Sequence, residues 1–180
     1  MRIAIGVDET LNSIIKDKLI PMYNKDFNKN LNFEDIINYN IVEFADVNIL
    51  EYFHQKGFFY NEVKPVRHSQ EFVKIARDNR CELLFVTSIP FLVCEHAYID
   101  KCKWLYENFD AQPNEIIISG RRDIIKADFL IDDRQENLES FYTKKRLPIC
   151  INKPWNREYV GMCIDGFDEL IDLFNEIKWS

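Results

Sequence analysis

The chain has 180 residues, 47% hydrophobic and 14% aromatic, with five glycines and a formal net charge of −7. The length fits one domain, or one domain with a small insertion, and the aromatic content excludes disorder. Five scattered glycines exclude a Gly-rich phosphate loop or dinucleotide fingerprint, and the acidic balance argues against nucleic acid polymers and anionic membranes as partners. No stretch approaches the roughly 18 apolar residues of a membrane span, and the first residues lack a basic and apolar leader, so a cytoplasmic protein is expected. Cys81, Cys94, Cys102, Cys150 and Cys163 are odd in number and lack C-x-x-C spacing, so free thiols are expected. His54, His68 and His96 form no metal-ligand pattern.

Arg2–Val7 is a short apolar run that reads as a buried strand ending at Asp8-Glu9-Thr10. A helix-like run, Leu11–Leu19, is expected to stop near Pro21. Met22–Val66 is rich in Asn, Asp, Tyr and Phe, with a helix expected around Asp46–Gln55. That segment is too long for a simple crossover and reads as an insertion placed to close over strand ends. The expected division is a core of residues 1–14 and 67–180 with a small helical cap of residues 15–66.

Arg67–Asn79 follows as a helix with Phe72, Ile75 and Ala76 on one face. Cys81–Val86 is the second strand, followed by Thr87-Ser88. His96–Phe109 is a helix whose apolar face is read as Ile99, Cys102, Leu105 and Tyr106. Glu115–Ile118 is the third strand and Asp128–Ile131 the fourth, which runs into Asp132-Asp133. Gln135–Tyr142 is a short helix and Leu147–Ile151 the fifth strand. Phe167–Lys178 repeats apolar residues at helical spacing, with Asp165 placed to cap it.

Strands alternating with helices define an α/β protein with a parallel sheet covered on both faces. Ligands in such sheets bind beyond the carboxyl ends of the strands. That rule gathers Asp8, Thr87, Ser88, Ser119, Arg121, Arg122, Asp132 and Asp133 into one site. The Asp132-Asp133 pair is its sharpest feature, because adjacent carboxylates stay ionised together most easily when a cation stands between them. Carboxylates for a hard metal ion, with a hydroxyl and a cation for phosphate oxygens, are the parts of a phosphoryl-transfer site.

The order of these motifs resembles the haloacid dehalogenase superfamily and, more narrowly, its 5′(3′)-deoxyribonucleotidases. Ile3–Asn12 (IAIGVDETLN) is similar to a strand followed by D-x-D-x-[TV]-L, and Leu84–Pro90 (LFVTSIP) to a strand ending in Thr or Ser. Asp123–Asn137 (DIIKADFLIDDRQEN) is close to ADxLIDDRxxN. Gly57–Pro65 (GFFYNEVKP) looks like the cap segment, and Ile149–Arg157 (ICINKPWNR) like the late strand with its P-W/H-N ending. Response-regulator receivers use similar residues, but their paired acids follow the first strand, whereas this pair follows the fourth.

The resemblance implies a three-layer Rossmannoid core with strand order 5-4-1-2-3. It implies a Mg²⁺-dependent phosphatase for small (deoxy)nucleoside monophosphates. Asp8 takes the position of the general acid and gives its carbonyl to the metal, with Asp132 and Asp133 as further ligands. Thr87 and Ser88 take the phosphate oxygens, and Phe58 and Phe59 face the base. Two positions depart from the pattern. Gly6 stands where the family has its nucleophilic Asp, and Arg122 where it has a lysine. Arg122 keeps the charge and the capacity for a bidentate phosphate contact. The resemblance therefore implies a phosphatase of impaired activity; the alternative is a catalytically dead nucleotide-binding or protein-interaction module on the same fold.

Overall fold

The structure is a computed structural model that describes residues 1–45, 49, 51–52, 62–88 and 97–176. Its centre is a fully parallel sheet of β1 (Arg2–Gly6), β2 (Glu82–Thr87), β3 (Ile116–Ile118), β4 (Phe129–Asp132), β5 (Leu147–Ile151) and β6 (Met162–Ile164). The strand order is β3-β2-β1-β4-β5-β6, the expected order with a sixth strand added beside β5. β1 lies between β2 and β4, so Ile3, Ala4 and Ile5 are fully buried, as a central parallel strand requires.

The longer helices are α1 (Ile20–Phe27), in the segment between β1 and β2, then α2 (Ser69–Asp78), α3 (Ala97–Phe109), α4 (Gln135–Phe141) and α5 (Phe167–Glu176). On one face Phe72 of α2 packs against Phe167 and Phe174 of α5, at ring separations of 5.7 and 5.3 Å. Phe109 of α3 meets Phe85 of β2 on the same side. The opposite face holds Leu138 and Phe141 of α4 against Ala4, Leu130 and Cys150. Asp165 does not spend its side chain on the start of α5: its carboxylate accepts from Asn152 Nδ2 at 2.6 Å.

Helix α3 turns a different face inward from the one expected. Ala97, Lys101, Trp104, Leu105 and Phe109 are buried, while Ile99 and Tyr106 are exposed. The helix carries two apolar stripes, and Trp104 decides between them: its indole N–H donates to the Val63 carbonyl at 2.7 Å, and its ring meets Phe109. Lys101 is carried inward with that stripe.

The run after β1 does not stop at Pro21 either. A π-helical turn at Ile15–Leu19 passes directly into α1, so one continuous helix runs through Pro21: the Ile20 N–H donates to the Ile15 carbonyl, and Pro21, which has no N–H to donate, directly follows this π turn. Asn28, at φ 50°, ends α1 in the left-handed conformation. Short 3₁₀ turns follow at Phe33–Asp35 and Ile41–Phe44. Most of the helix expected around Asp46–Gln55, and all of Gly57–Tyr60, lie outside the described residues. Leu19, Tyr23, Ile36 and Ile41 of the insertion are buried in the same hydrophobic cluster as Ile3 and Ile5 of the sheet.

Candidate active site

The carboxyl ends of β1, β2 and β4 meet around a cavity of about 30 Å³, lined by Gly6, Asp8, Thr87, Arg122, Asp132 and Asp133 among others. The cavity lies beyond the carboxyl ends of the strands, where parallel sheets bind ligands. Beyond Gly6 the chain turns sharply. Glu9 takes φ 57°, and the Leu11 N–H donates to the Val7 carbonyl at 2.9 Å. This turn leaves Asp8 at the cavity and sends the Thr10 hydroxyl to Asp133 Oδ1 at 3.2 Å.

Lys101 was not among the expected site residues. Its ammonium donates to Asp8 Oδ2 at 2.5 Å, to Thr87 Oγ1 at 3.0 Å and to the Ser88 carbonyl at 3.0 Å. The residue is only 2% exposed. A lysine ordered this deeply, between a carboxylate and a hydroxyl that both border the cavity, is positioned by the fold rather than by solvent.

Arg122 lines the same cavity, with its nitrogens turned onto protein acceptors. Nε donates to Asp132 Oδ2 at 3.2 Å, one terminal nitrogen to the Ser119 carbonyl, and the other to the Val86 carbonyl at 3.4 Å. Asp132 Oδ1 also accepts from the Arg134 N–H at 3.0 Å and from Asn137 Nδ2 at 2.8 Å. Asp133 Oδ2 accepts from Trp155 Nε1 at 3.1 Å, and its carbonyl from Asn156 Nδ2 at 2.7 Å. The Ile149–Arg157 motif therefore buttresses the second carboxylate.

Both acids of the pair are buried, but their settings differ. Asp132 is held by a guanidinium, whereas the oxygens of Asp133 accept from neutral donors. Burial, then the neighbouring Asp132 and Glu9, push the Asp133 carboxyl well above the usual carboxylate range. Glu9 is fully buried, one of its oxygens has no hydrogen-bond partner, and Lys153 stands 4.0 Å from it. Burial pushes the Glu9 carboxyl up to about 7 despite the opposing pull of Lys153.

The insertion reaches this site through Tyr39. Its ring lies under the Arg134 guanidinium, 4.0 Å from the centroid, and edge-on to Trp155 at 5.8 Å. Burial, then Asp133, push its phenol upward, out of reach of ionisation near neutral pH. Phe58 and Phe59, the expected base contacts, lie outside the described residues.

Gly6 is the residue of β1 that faces the cavity. A Cβ built on it would stand 3.0 Å from Asp132 Oδ2 and 3.0 Å from Thr10 Oγ1. The space beside Gly6 is therefore narrow and bounded by two buried, hydrogen-bonded side chains, one of them a carboxylate.

Among the described residues no three His, Cys, Asp or Glu side chains converge as a metal-ligand group. The donors present nonetheless fit a hard ion that keeps its own waters and shares the phosphate of a substrate: two carboxylates and the Asp8 carbonyl. A divalent cation would also favour the ionised form of Asp133, which its buried setting opposes.

A parallel three-layer α/β core with this strand order, a strand-end carboxylate pair and an insertion after the first strand is a haloacid dehalogenase-like phosphatase fold. A haloacid dehalogenase family hydrolase from Deinococcus radiodurans, solved with bound phosphate and sodium, superposes with a TM-score of 0.58 over 99% of this chain and 96% of its own, at 10% identity. The family described as "5′ nucleotidase, deoxy (Pyrimidine), cytosolic type C protein" matches residues 1–177. The chain belongs to this deoxyribonucleotidase family. A protein of Staphylococcus epidermidis is 30% identical over 98% of this chain and 97% of its own length. The 5′(3′)-deoxyribonucleotidase of Bacillus subtilis is 31% identical over 86% of this chain and 87% of its own.

Proposed function

We propose that this chain binds deoxyribonucleoside monophosphates through their phosphate, and that Gly6 leaves it a poor hydrolase. The observation that carries the reading is Lys101, whose ammonium bridges Asp8, Thr87 and Ser88 at the cavity. An incoming phosphate oxygen exchanges with one of those acceptors, so the cation is already in place when the anion arrives. Thr87 donates its hydroxyl to a second oxygen, with Ser88 beside it. Arg122 contributes its charge to the phosphate while its bond to Asp132 holds that carboxylate in position.

Asp8 is the residue placed to handle the proton of the leaving oxygen. Its carboxylate sits at the cavity in contact with Lys101, within the group that would meet the ester. Mg²⁺ held by the Asp8 carbonyl and the Asp132 and Asp133 carboxylates would neutralise phosphate charge and orient the ester. Phe58 and Phe59 are assigned to the base by their place in the matched cap segment. In this mechanism the carboxylate that attacks phosphorus is absent, because position 6 has no side chain. Binding without efficient turnover follows, and with it a regulatory or nucleotide-sensing role as the second reading.

Lys101→Met tests the assignment. It keeps length and apolar bulk but removes the charge, and the Asp8 side chain, 25% exposed, remains solvated. Affinity for dUMP or dTMP in the presence of Mg²⁺ is expected to fall at least about tenfold, the scale of one charge-assisted contact. In thermal unfolding, the unmodified protein at 100 times its Kd gains about 2.7 kcal/mol, and a variant with tenfold weaker affinity gains about 1.4 kcal/mol at the same ligand concentration. Equal nucleotide affinity in both proteins would refute the role of Lys101. No stabilisation of either would point to a protein-interaction module instead.

A further inference from the structure

Cys150 and Cys163 lie outside the machinery described above, yet the fold sets them side by side. They are direct partners in the parallel pairing of β5 with β6. Neighbouring strands run about 4.8 Å apart, and registered residues project to the same face, so this spacing lies within the Cα range of disulfides. Each thiol now donates to a nearby backbone carbonyl, Cys150 to Ile151 at 3.7 Å and Cys163 to Gly161 at 3.6 Å. Cys150 is fully buried, whereas Cys163 is exposed on an edge strand, so the pair joins one accessible sulfur to one shielded sulfur.

The position gives the pair a consequence. Residues 150 and 163 are the feet of the segment that carries Lys153, Trp155 and Asn156. Within that segment, Trp155 donates to the Asp133 carboxylate and Asn156 to its carbonyl. Cys150 is itself the strand partner of Asp132. A covalent link between the two feet would fasten the loop that supports the carboxylate pair.

We propose that Cys150 and Cys163 form a reversible disulfide that staples β6 to β5 under oxidising conditions. With a peroxide as oxidant, the exposed Cys163 sulfur attacks one peroxide oxygen and becomes a sulfenic acid as the O–O bond breaks and water leaves. The Cys150 sulfur then attacks the Cys163 sulfur. The S–S bond forms, the S–O bond breaks, and the hydroxyl departs as a second water with the Cys150 proton. The two electrons lost by the thiols reduce one peroxide.

The test is treatment of the full chain with hydrogen peroxide, followed by thiol counting, peptide mass spectrometry and thermal unfolding. The chain has five cysteines. Two thiols are expected to disappear and a peptide linked through Cys150 and Cys163, lighter by two hydrogens, to appear. Dithiothreitol should reverse both changes. Closing a loop of this size is expected to raise Tm by about 5 °C or more. Cys163→Ser, a change on an exposed edge, should fold normally, lose no second thiol and show no rise. The proposal is overturned if Cys163 ends as a sulfinic acid or an intermolecular bridge while Cys150 stays alkylatable after unfolding. It is equally overturned if neither thiol reacts, or if the linked pair is a different one.

Discussion

Gly6→Asp is expected to raise Mg²⁺-dependent phosphate release from dUMP or dTMP by about 10³-fold or more, the scale on which loss of a nucleophile acts in other enzymes. The remaining parts are assembled: Lys101 beside Asp8 and Thr87, and Asp132 and Asp133 in fixed hydrogen bonds. The added Cβ meets only side-chain atoms at 3.0 Å, so Asp132 and Thr10 must yield by a few tenths of an ångström. The backbone of Gly6 is not in the left-handed region and accepts an L side chain. A new carboxylate beside Asp132 is expected to lower stability in metal-free buffer, by about 1–3 kcal/mol for the crowding alone. Mg²⁺ should recover part of that loss. Gly6→Ala is the control, because it adds the same Cβ without a nucleophile. Turnover that rises equally in both variants would show that the carboxylate at position 6 is not what matters.

The second large effect concerns stability. In metal-free buffer the folded protein should lose on the order of 3 kcal/mol of Glu9-linked stability as pH rises from about 4.5 to above 7. The Glu9 carboxyl stands at about 7 in the folded protein against 4.5 for an unperturbed side chain, chiefly because it is buried. A raised value means that folding favours the protonated form. The contribution is therefore complete below pH 4.5 and drains away as pH climbs through 7. Asp133 is shifted in the same direction by burial and by Asp132, and adds to the slope. Glu9→Gln keeps an oxygen for the Ile15 N–H, which now donates to Glu9 Oε1 at 2.6 Å, and removes the titration. Its denaturant midpoint should exceed that of the parent at pH 8 and vary less between pH 5 and 8. Parallel curves for the two proteins would contradict the assignment.

Much of the fold was legible because each buried strand stops at polar residues, and that punctuation fixes where a parallel sheet opens to ligand. Asp8, Thr87, Arg122, Asp132 and Asp133 are gathered in this way, and in the structure they line one cavity. Lys101 was not, because helix α3 offers two apolar stripes. The sequence pattern Ile99, Cys102, Leu105 and Tyr106 shares only Leu105 with the inward stripe of Ala97, Trp104, Leu105 and Phe109. Only tertiary contacts, above all Trp104 against Val63 and Phe109, choose the second and carry Lys101 inward. A lone lysine on the inner stripe was the available signal. β6 was missed because three residues between Gly161 and Asp165 are too few to show alternation. The helix through Pro21 was missed because an internal proline normally ends a helix, and sequence alone does not show the π turn that precedes it here. The burial of Glu9 at a positive φ has no sequence signature, since glutamate rarely occupies such a position.

The most direct measurement is a calorimetric titration of the unmodified protein with dTMP and Mg²⁺, with free phosphate followed in the same sample. Saturable binding with little phosphate released over the time of the titration is the expected result. Phosphate release as fast as that of Gly6→Asp, or the absence of any binding, would contradict a site that grips phosphate but lacks its nucleophile.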